Sequence, residues 1–173
     1  GAGPIGVELG YILRSYGTDV TIIEMLPNVV PLEDEEVSAE LAKQLTRQGI
    51  KLMAGTKVES VTKSGEGVEV KAGGQTIKAD KALIAIGFAP NSENLGLEAI
   101  GVKIERGAIV VDNHFRTNVP NLYAIGDVNA KLMLAHVGSA QGIVAAETIA
   151  NAETVELDYD AMPRCYYCQP QIA

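Results

Sequence analysis

The opening run Gly1-Ala2-Gly3-Pro4-Ile5-Gly6 constrains this chain most, because apolar residues at helical spacing follow it: Ile5, Leu9, Ile12 and Leu13, with Gly17 as a stop. A Gly-x-Gly-x-x-Gly run at the start of a helix permits few arrangements. Gly1 makes a tight turn, Gly3 leaves the backbone bare so that a pyrophosphate can approach, and Gly6 lets the helix pack closely on a sheet. The helix N-terminus offers free N–H groups and a positive dipole to phosphates. A chain with 18 glycines can carry such a run by chance, so the context has to decide. Here a helix over 3–16 leads into a short strand, Val20 to Glu24, that ends in a carboxylate.

Glu24 stands about where a ribose-binding carboxylate is expected, ~20 residues past the glycines. Such a group accepts hydrogen bonds from both ribose hydroxyls and repels a 2′-phosphate, which favours NAD over NADP. The only basic residues between Asp19 and Gly49 are Lys43 and Arg47, so no 2′-phosphate receptor is evident. The alternative is an exposed glutamate at a strand end.

Beyond Glu24 the pattern continues as α/β. Pro27 to Pro31 reads as loop. The acidic run Glu33-Asp34-Glu35-Glu36 suits the positive end of a helix that continues through Val37, Leu41 and Leu45 and stops at Gly49. Ile50 to Met53 is the next strand. Short segments at 57–62, 67–71 and 75–79, separated by Ser64-Gly65-Glu66-Gly67 and Gly73-Gly74, suggest an antiparallel meander. Ala82 to Ile86 reads as a buried strand closed by Gly87 and Pro90. Residues 1–90 therefore run helix, strand, helix, strand, three-stranded meander, strand: the α/β class, a Rossmann-like parallel sheet with an antiparallel meander. Further strands are expected over 107–113 and 122–125, a helix rich in small residues over 135–150, and loop from Ala152 onward.

Composition narrows the function. Fourteen basic against 22 acidic residues give a net charge of −8, which argues against a nucleic-acid or anionic-membrane partner. No apolar run approaches ~18 residues. Two cysteines cannot build a disulfide scaffold, so a reducing, cytoplasmic setting is expected. Neither end of the chain reads as a domain boundary, so a piece of something longer is expected.

Three further motifs carry chemistry. Gly87-Phe88-Ala89-Pro90-Asn91 follows an apolar run, and Gly87 could line a ligand crevice or simply make a turn. In Thr117 to Asp127 an apolar segment ends in Gly126-Asp127; Asp127 can accept hydrogen bonds from a sugar-like hydroxyl, or cap a helix. Cys165-Tyr166-Tyr167-Cys168 could be a redox pair or half a metal site. Gln169-Pro170 argues against the helix that a redox pair wants, and a metal site lacks its other ligands, so structural cysteines and no metal are expected.

Taken together, Gly1–Glu8, Glu24, Ala82–Gly87 and Thr117–Asp127 resemble, in order and spacing, the flavin-dependent pyridine nucleotide–disulfide oxidoreductases. Met133-Leu134-Ala135-His136 resembles the segment before the flavin-capping helix in the dihydrolipoamide dehydrogenase branch. The resemblance implies that Gly1, Gly3, Pro4 and Gly6 hold the NAD pyrophosphate, Ile5 and Glu8 lie beside the nicotinamide, and Glu24 binds the adenosine ribose. It implies that Val58 touches the adenine (a role compatible with a place in the meander's core) and that Gly87 lines the crevice. Asp127 would bind the ribityl chain of FAD, and Met133, Leu134, Ala135 and His136 would present backbone to the flavin ring.

The resemblance also implies a division of the chain. Residues 1–91 would be the NAD-binding domain without its first strand, 92–116 its remainder and crossover, 117–151 an incomplete FAD-domain segment, and 152–173 a linker and the first strand of an interface domain. It implies no catalytic residue here: the redox disulfide, the histidine–glutamate base pair, the first FAD glycine motif and the strand before Gly1 all lie outside these residues. His136 is therefore not expected to shuttle protons, and His114 is expected at the surface. The whole enzyme is implied to be a homodimer that oxidises dihydrolipoamide with NAD and FAD, meeting the lipoyl domain of a 2-oxo acid dehydrogenase complex or of the glycine cleavage system. The alternatives are another NADH-dependent disulfide reductase or NADH oxidase, or a non-catalytic nucleotide-binding module.

Overall fold

The computed structural model describes residues 1–173. It divides into two compact units: Gly1–Gly87 together with Cys165–Ala173, and Phe88–Arg164. This grouping differs from the sequence division in two places. Residues 88–116, expected with the NAD-binding domain and its crossover, group with 117–164. Residues 165–173 fold with the first unit, and in place of a full strand they make a single antiparallel bridge, Tyr166 to Ile172.

In the first unit, helix α1 (Pro4–Ser15) leads to strand β1 (Thr21–Ile23), helix α2 (Glu35–Arg47) and strand β2 (Lys51–Met53). The two strands pair in parallel, Ile22 opposite Leu52. α1 turns Gly6, Val7 and Gly10 inward. Gly10 is there for closeness: a Cβ on it would lie 2.8 Å from Cδ1 of Ile22. α2 starts at Asp34, whose carboxylate accepts from Glu36 N at 2.8 Å, and buries Ser38, Leu41 and Leu45. Arg14 at the end of α1 donates to Gln48 O at 2.9 Å, joining the two helix ends.

The core gathers Ala2, Val7, Ile22, Val29, Val30, Leu41, Leu45 and Ile50 with Tyr166 and Cys168 from the far end of the chain. Tyr166, only 3% exposed, donates its hydroxyl to Glu33 at 2.8 Å. Gln48 Nε2 reaches Gln169 O at 2.6 Å.

The meander forms as read. Strands β3 (Val58–Ser64), β4 (Gly67–Ala72) and β5 (Gln75–Ala79) are antiparallel, with Val61, Val70 and Ile77 in register. Gly73 and Gly74 both have positive φ, 55° and 74°, the requirement of the tightest hairpin turn.

Three expected strands fail. Ala82–Ile86 belongs to no sheet and is not buried: Leu83, Ile84 and Ile86 are 55%, 62% and 81% exposed. The run reads as buried because it is apolar, but burial of a parallel strand depends on neighbours, and no strand of this chain lies beside it. Of 107–113, only β7 (Ala108–Ile109) is a strand, in a small hairpin with β6 (Ile104–Glu105). Leu122–Ile125 is extended, with one bridge from Tyr123 to Arg116. Both segments keep to short range, bonding to the chain between them: Asp112 N donates to Arg116 O and Ala124 N to Phe115 O, both at 3.0 Å.

The second unit is built on helix α3 (Ala135–Ile149), close to its expected bounds. Its inner face is Val137, Gln141, Val144, Ala145 and Thr148. Phe115 packs with Val144 and Ala145. His114 is half-buried rather than freely exposed, with Nδ1 3.5 Å from Thr148 Oγ1. No helix is long and apolar enough to cross a membrane.

Candidate functional site

Each unit carries its own candidate half-site. In the first, the glycine run forms the turn into α1. Gly3 is the N-cap and makes no side-chain capping bond, and Pro4 occupies the first turn. The N–H groups of Ile5 and Gly6 therefore have no acceptor within the helix. The three glycines differ in what surrounds them. A Cβ on Gly1 would run into the carbonyl of Ala85, and one on Gly6 into the carbonyl of Gly1. A Cβ on Gly3 would meet nothing within 4 Å. So Gly1 and Gly6 close the turn on the protein, while Gly3 faces open space beside bare N–H groups. That is a cradle for an anion, and it fits a diphosphate.

Glu24 follows β1 and lies at this cradle. Its Oε2 accepts from Ala2 N at 2.6 Å and its Oε1 from Leu26 N at 2.8 Å. Partial burial pushes this carboxyl up, but the backbone N–H groups of Ala2, Leu26 and Met25 outweigh it and hold the carboxyl below the ordinary range. Glu24 is thus ionised at neutral pH, and it fastens the glycine loop to the end of β1.

The other expected residues spread more widely. Ile5 is partly exposed on α1. Glu8 is engaged with the chain itself, accepting from Tyr167 N at 2.8 Å. Val58 is partly exposed at the start of β3, beside a bulge. Gly87 is exposed at φ 115° with open space around it. The cysteines are unpaired, Cys165 exposed and Cys168 buried. Burial pushes the Cys168 thiol up, the opposite of an activated nucleophile.

In the second unit, Gly126–Asn129 forms a 3-10 turn. Asp127 is exposed and has no side-chain hydrogen bond within the chain. Met133 and Leu134 lead into α3, whose N-cap, Leu134, provides no capping side chain. The N–H groups of Ala135 and His136 thus have no intrahelical acceptor. His136 Nε2 lies 3.0 Å from Pro163 O, which ties the ring down. A carboxylate free to accept from hydroxyls and an uncapped helix start fit a ligand with a polyol chain and a polar ring.

Sequence reasoning missed what holds this turn. Gln141 Oε1 accepts from Gly126 N at 2.7 Å and from Asn129 Nδ2 at 2.8 Å, and Gln141 Nε2 donates to the Tyr159 hydroxyl at 3.1 Å. The available signal was a glutamine on the mostly apolar inner face of α3.

The family model for pyridine nucleotide-disulphide oxidoreductase matches residues 1–142. The chain belongs to that family. Among curated relatives, the dihydrolipoyl dehydrogenase of Mycobacterium leprae is 53% identical over 179 residues, covering 100% of this chain and 38% of the relative. That of Corynebacterium glutamicum is 51% identical over 181 residues, covering 100% and 39%. The chain thus spans less than half the length of these relatives. Among solved structures, LpdA from Mycobacterium tuberculosis superposes with a TM-score of 0.92 at 30% identity, over 98% of this chain and 38% of that one. The HOCl-induced flavoprotein disulfide reductase RclA from Escherichia coli superposes with 0.89 at 27% identity, over 99% and 40%. The α/β architecture with its parallel pair and antiparallel meander is the fold of this family.

Proposed function

We propose that the chain is the NAD-binding part and the returning FAD-domain segment of a flavoprotein that oxidises dihydrolipoamide to lipoamide and reduces NAD. The observation that carries this reading is the cradle at Gly3, open to a ligand and edged by an ionised Glu24, within a chain about half identical to dihydrolipoyl dehydrogenases. Gly3 lets the pyrophosphate reach the N–H groups at the start of α1, and Gly1 and Gly6 keep that backbone in place. Glu24 takes the ribose hydroxyls with the lone pairs that Ala2 and Leu26 leave free. Its negative charge sets the preference for NAD over NADP. Ile5 and Glu8 border the nicotinamide, Val58 the adenine, and Gly87 the crevice. Asp127 accepts from the ribityl hydroxyls of FAD, and Met133 to His136 offer backbone to the ring. FAD, when bound, carries the electron pair from the substrate dithiol to the nicotinamide.

The redox disulfide that the substrate dithiol reduces, and the histidine–glutamate pair that takes its protons, are supplied by parts of the enzyme beyond these residues. The full-length enzyme works as a cytoplasmic homodimer on the lipoyl domain of a 2-oxo acid dehydrogenase complex or of the glycine cleavage system. Two measurements on the full-length protein test the reading. Dihydrolipoamide-dependent reduction of NAD is expected, and its absence in an FAD-loaded protein refutes the substrate. Calorimetric titration is expected to show NAD binding more tightly than NADP; the reverse order refutes the role of Glu24.

A further inference from the structure

We propose that Gln141 is a positioning residue for the flavin: its buried amide sets the turn that presents Asp127. The proposal rests on the reading of Asp127 as a flavin ligand and goes beyond it. Asp127 has no hydrogen bond of its own to fix its carboxylate, so its place depends on the backbone of Gly126–Asn129. Gln141 holds that backbone at both ends. One oxygen takes the Gly126 N–H, at the residue before Asp127, and the side-chain N–H of Asn129, two residues after it.

Asn129 extends the hold. Its amide also donates to Ala124 O at 3.1 Å, and its oxygen accepts from Lys131 N at 3.0 Å. The far end of Gln141 is fixed by Tyr159, so the glutamine cannot swing away. On the same face of α3, two glycines let the helix come close. A Cβ at Gly138 would lie 3.4 Å from Gly126 Cα, and one at Gly142 would lie 3.3 Å from Ile125 Cδ1.

Gln141 is 0% exposed. An apolar side chain would fill the same volume in a helix whose other inward residues are mostly apolar, so filling space does not explain an amide there. What the amide adds is an acceptor for two donors, one partly buried at Gly126 and one buried at Asn129. Without it, the Gly126 N–H and one of the two Asn129 amide N–H groups lose their acceptor, Ala124 O keeping the other, and the turn must shift to recover partners. Asp127 then leaves the position from which it meets the ribityl hydroxyls.

The test measures FAD affinity of the full-length apoprotein by flavin fluorescence for wild type, Gln141→Met, Gln141→Asn, Gln141→Glu, Asp127→Ala and the pair Gln141→Met/Asp127→Ala. Methionine keeps length and helix propensity but accepts poorly. Asparagine keeps the amide but is one methylene short of the turn, and it serves if the methionine variant does not fold. Both are expected to weaken FAD binding at least about tenfold. Glutamate can accept from both donors and also from the Tyr159 hydroxyl, so it is expected to stay within about threefold of wild type. The pair should bind no more weakly than Asp127→Ala alone, because both changes remove the same contact.

NAD affinity, carried by the other unit, is expected to hold, and a cooperative thermal transition like that of the wild type reports that each variant is folded. The proposal is overturned if the methionine and asparagine variants bind FAD like wild type while Asp127→Ala does not, or if the two changes weaken binding independently. If Asp127→Ala itself binds FAD normally, the reading of Asp127 as a flavin ligand is what fails.

Discussion

The glycines of the opening turn do different work, and single substitutions can separate them. Gly6→Ala places a methyl group against the Gly1 carbonyl, a backbone atom that cannot move aside. It should lower the melting temperature of the full-length protein as well as abolish NAD binding. Gly3→Ala meets nothing in the protein. It should leave melting unchanged and weaken NAD at least about tenfold, because the methyl group occupies the anion's approach. Calorimetry paired with thermal unfolding distinguishes the two.

Glu24 gives the residue scale its pH dependence. Its carboxyl sits below the ordinary range in the folded state, so its stabilising effect is complete above the unfolded value of about 4.3 and fades as pH falls through the lower folded value. NAD affinity of the wild type should therefore be flat through neutrality as far as this group is concerned, and fall only in that acid window. Glu24→Gln keeps one acceptor oxygen and turns an N–H₂ toward a backbone donor. It should bind NAD about tenfold more weakly and lose much of the discrimination against NADP. Titrations with both nucleotides across pH would show either effect missing.

At the scale of elements, local chemistry was legible wherever a segment carries its own partners. α1 and α2 came from periodicity and stops, α3 from its run of small residues, and the meander from alternation with Gly73-Gly74 between strands. The cap on α2 is of this kind: Asp34→Ala should cost about 1 kcal/mol of unfolding free energy, measured in denaturant. Illegible was whatever depends on a distant neighbour. Ala82–Ile86 has the composition of a buried strand, but composition cannot say whether anything lies alongside. Cys168 was expected to be structural, but not that it and Tyr166 would complete the first unit's core, because the segment resembled the first strand of an interface domain. At the candidate site, Gly3 and Glu24 were visible because a helix and a strand fix their spacing. Gln141, Asn129 and Tyr159 were not, because their meeting depends on how α3 lies on an irregular turn.

For the molecule as a whole, the exposed run of Leu83, Ile84 and Ile86 sets how the chain behaves in isolation. An extended apolar segment whose backbone is not paired is a template for association. These 173 residues expressed alone should therefore self-associate, and Ile84→Lys should reduce it, as read by light scattering or sedimentation. A chain that stays monomeric at high concentration without the lysine would contradict this.

The first unit is also discontinuous: it takes in Gly1–Gly87 and then Cys165–Ala173. On a ribosome, the nucleotide cradle would emerge first, and Tyr166 and Cys168, which belong to the core beneath it, would come out only after all of residues 88–164. The apolar residues around Leu41 and Leu45 would have to wait through that interval, exposed to whatever binds nascent apolar chain. Any pause placed in the message between codons 88 and 164 should lengthen that wait and change how much protein matures.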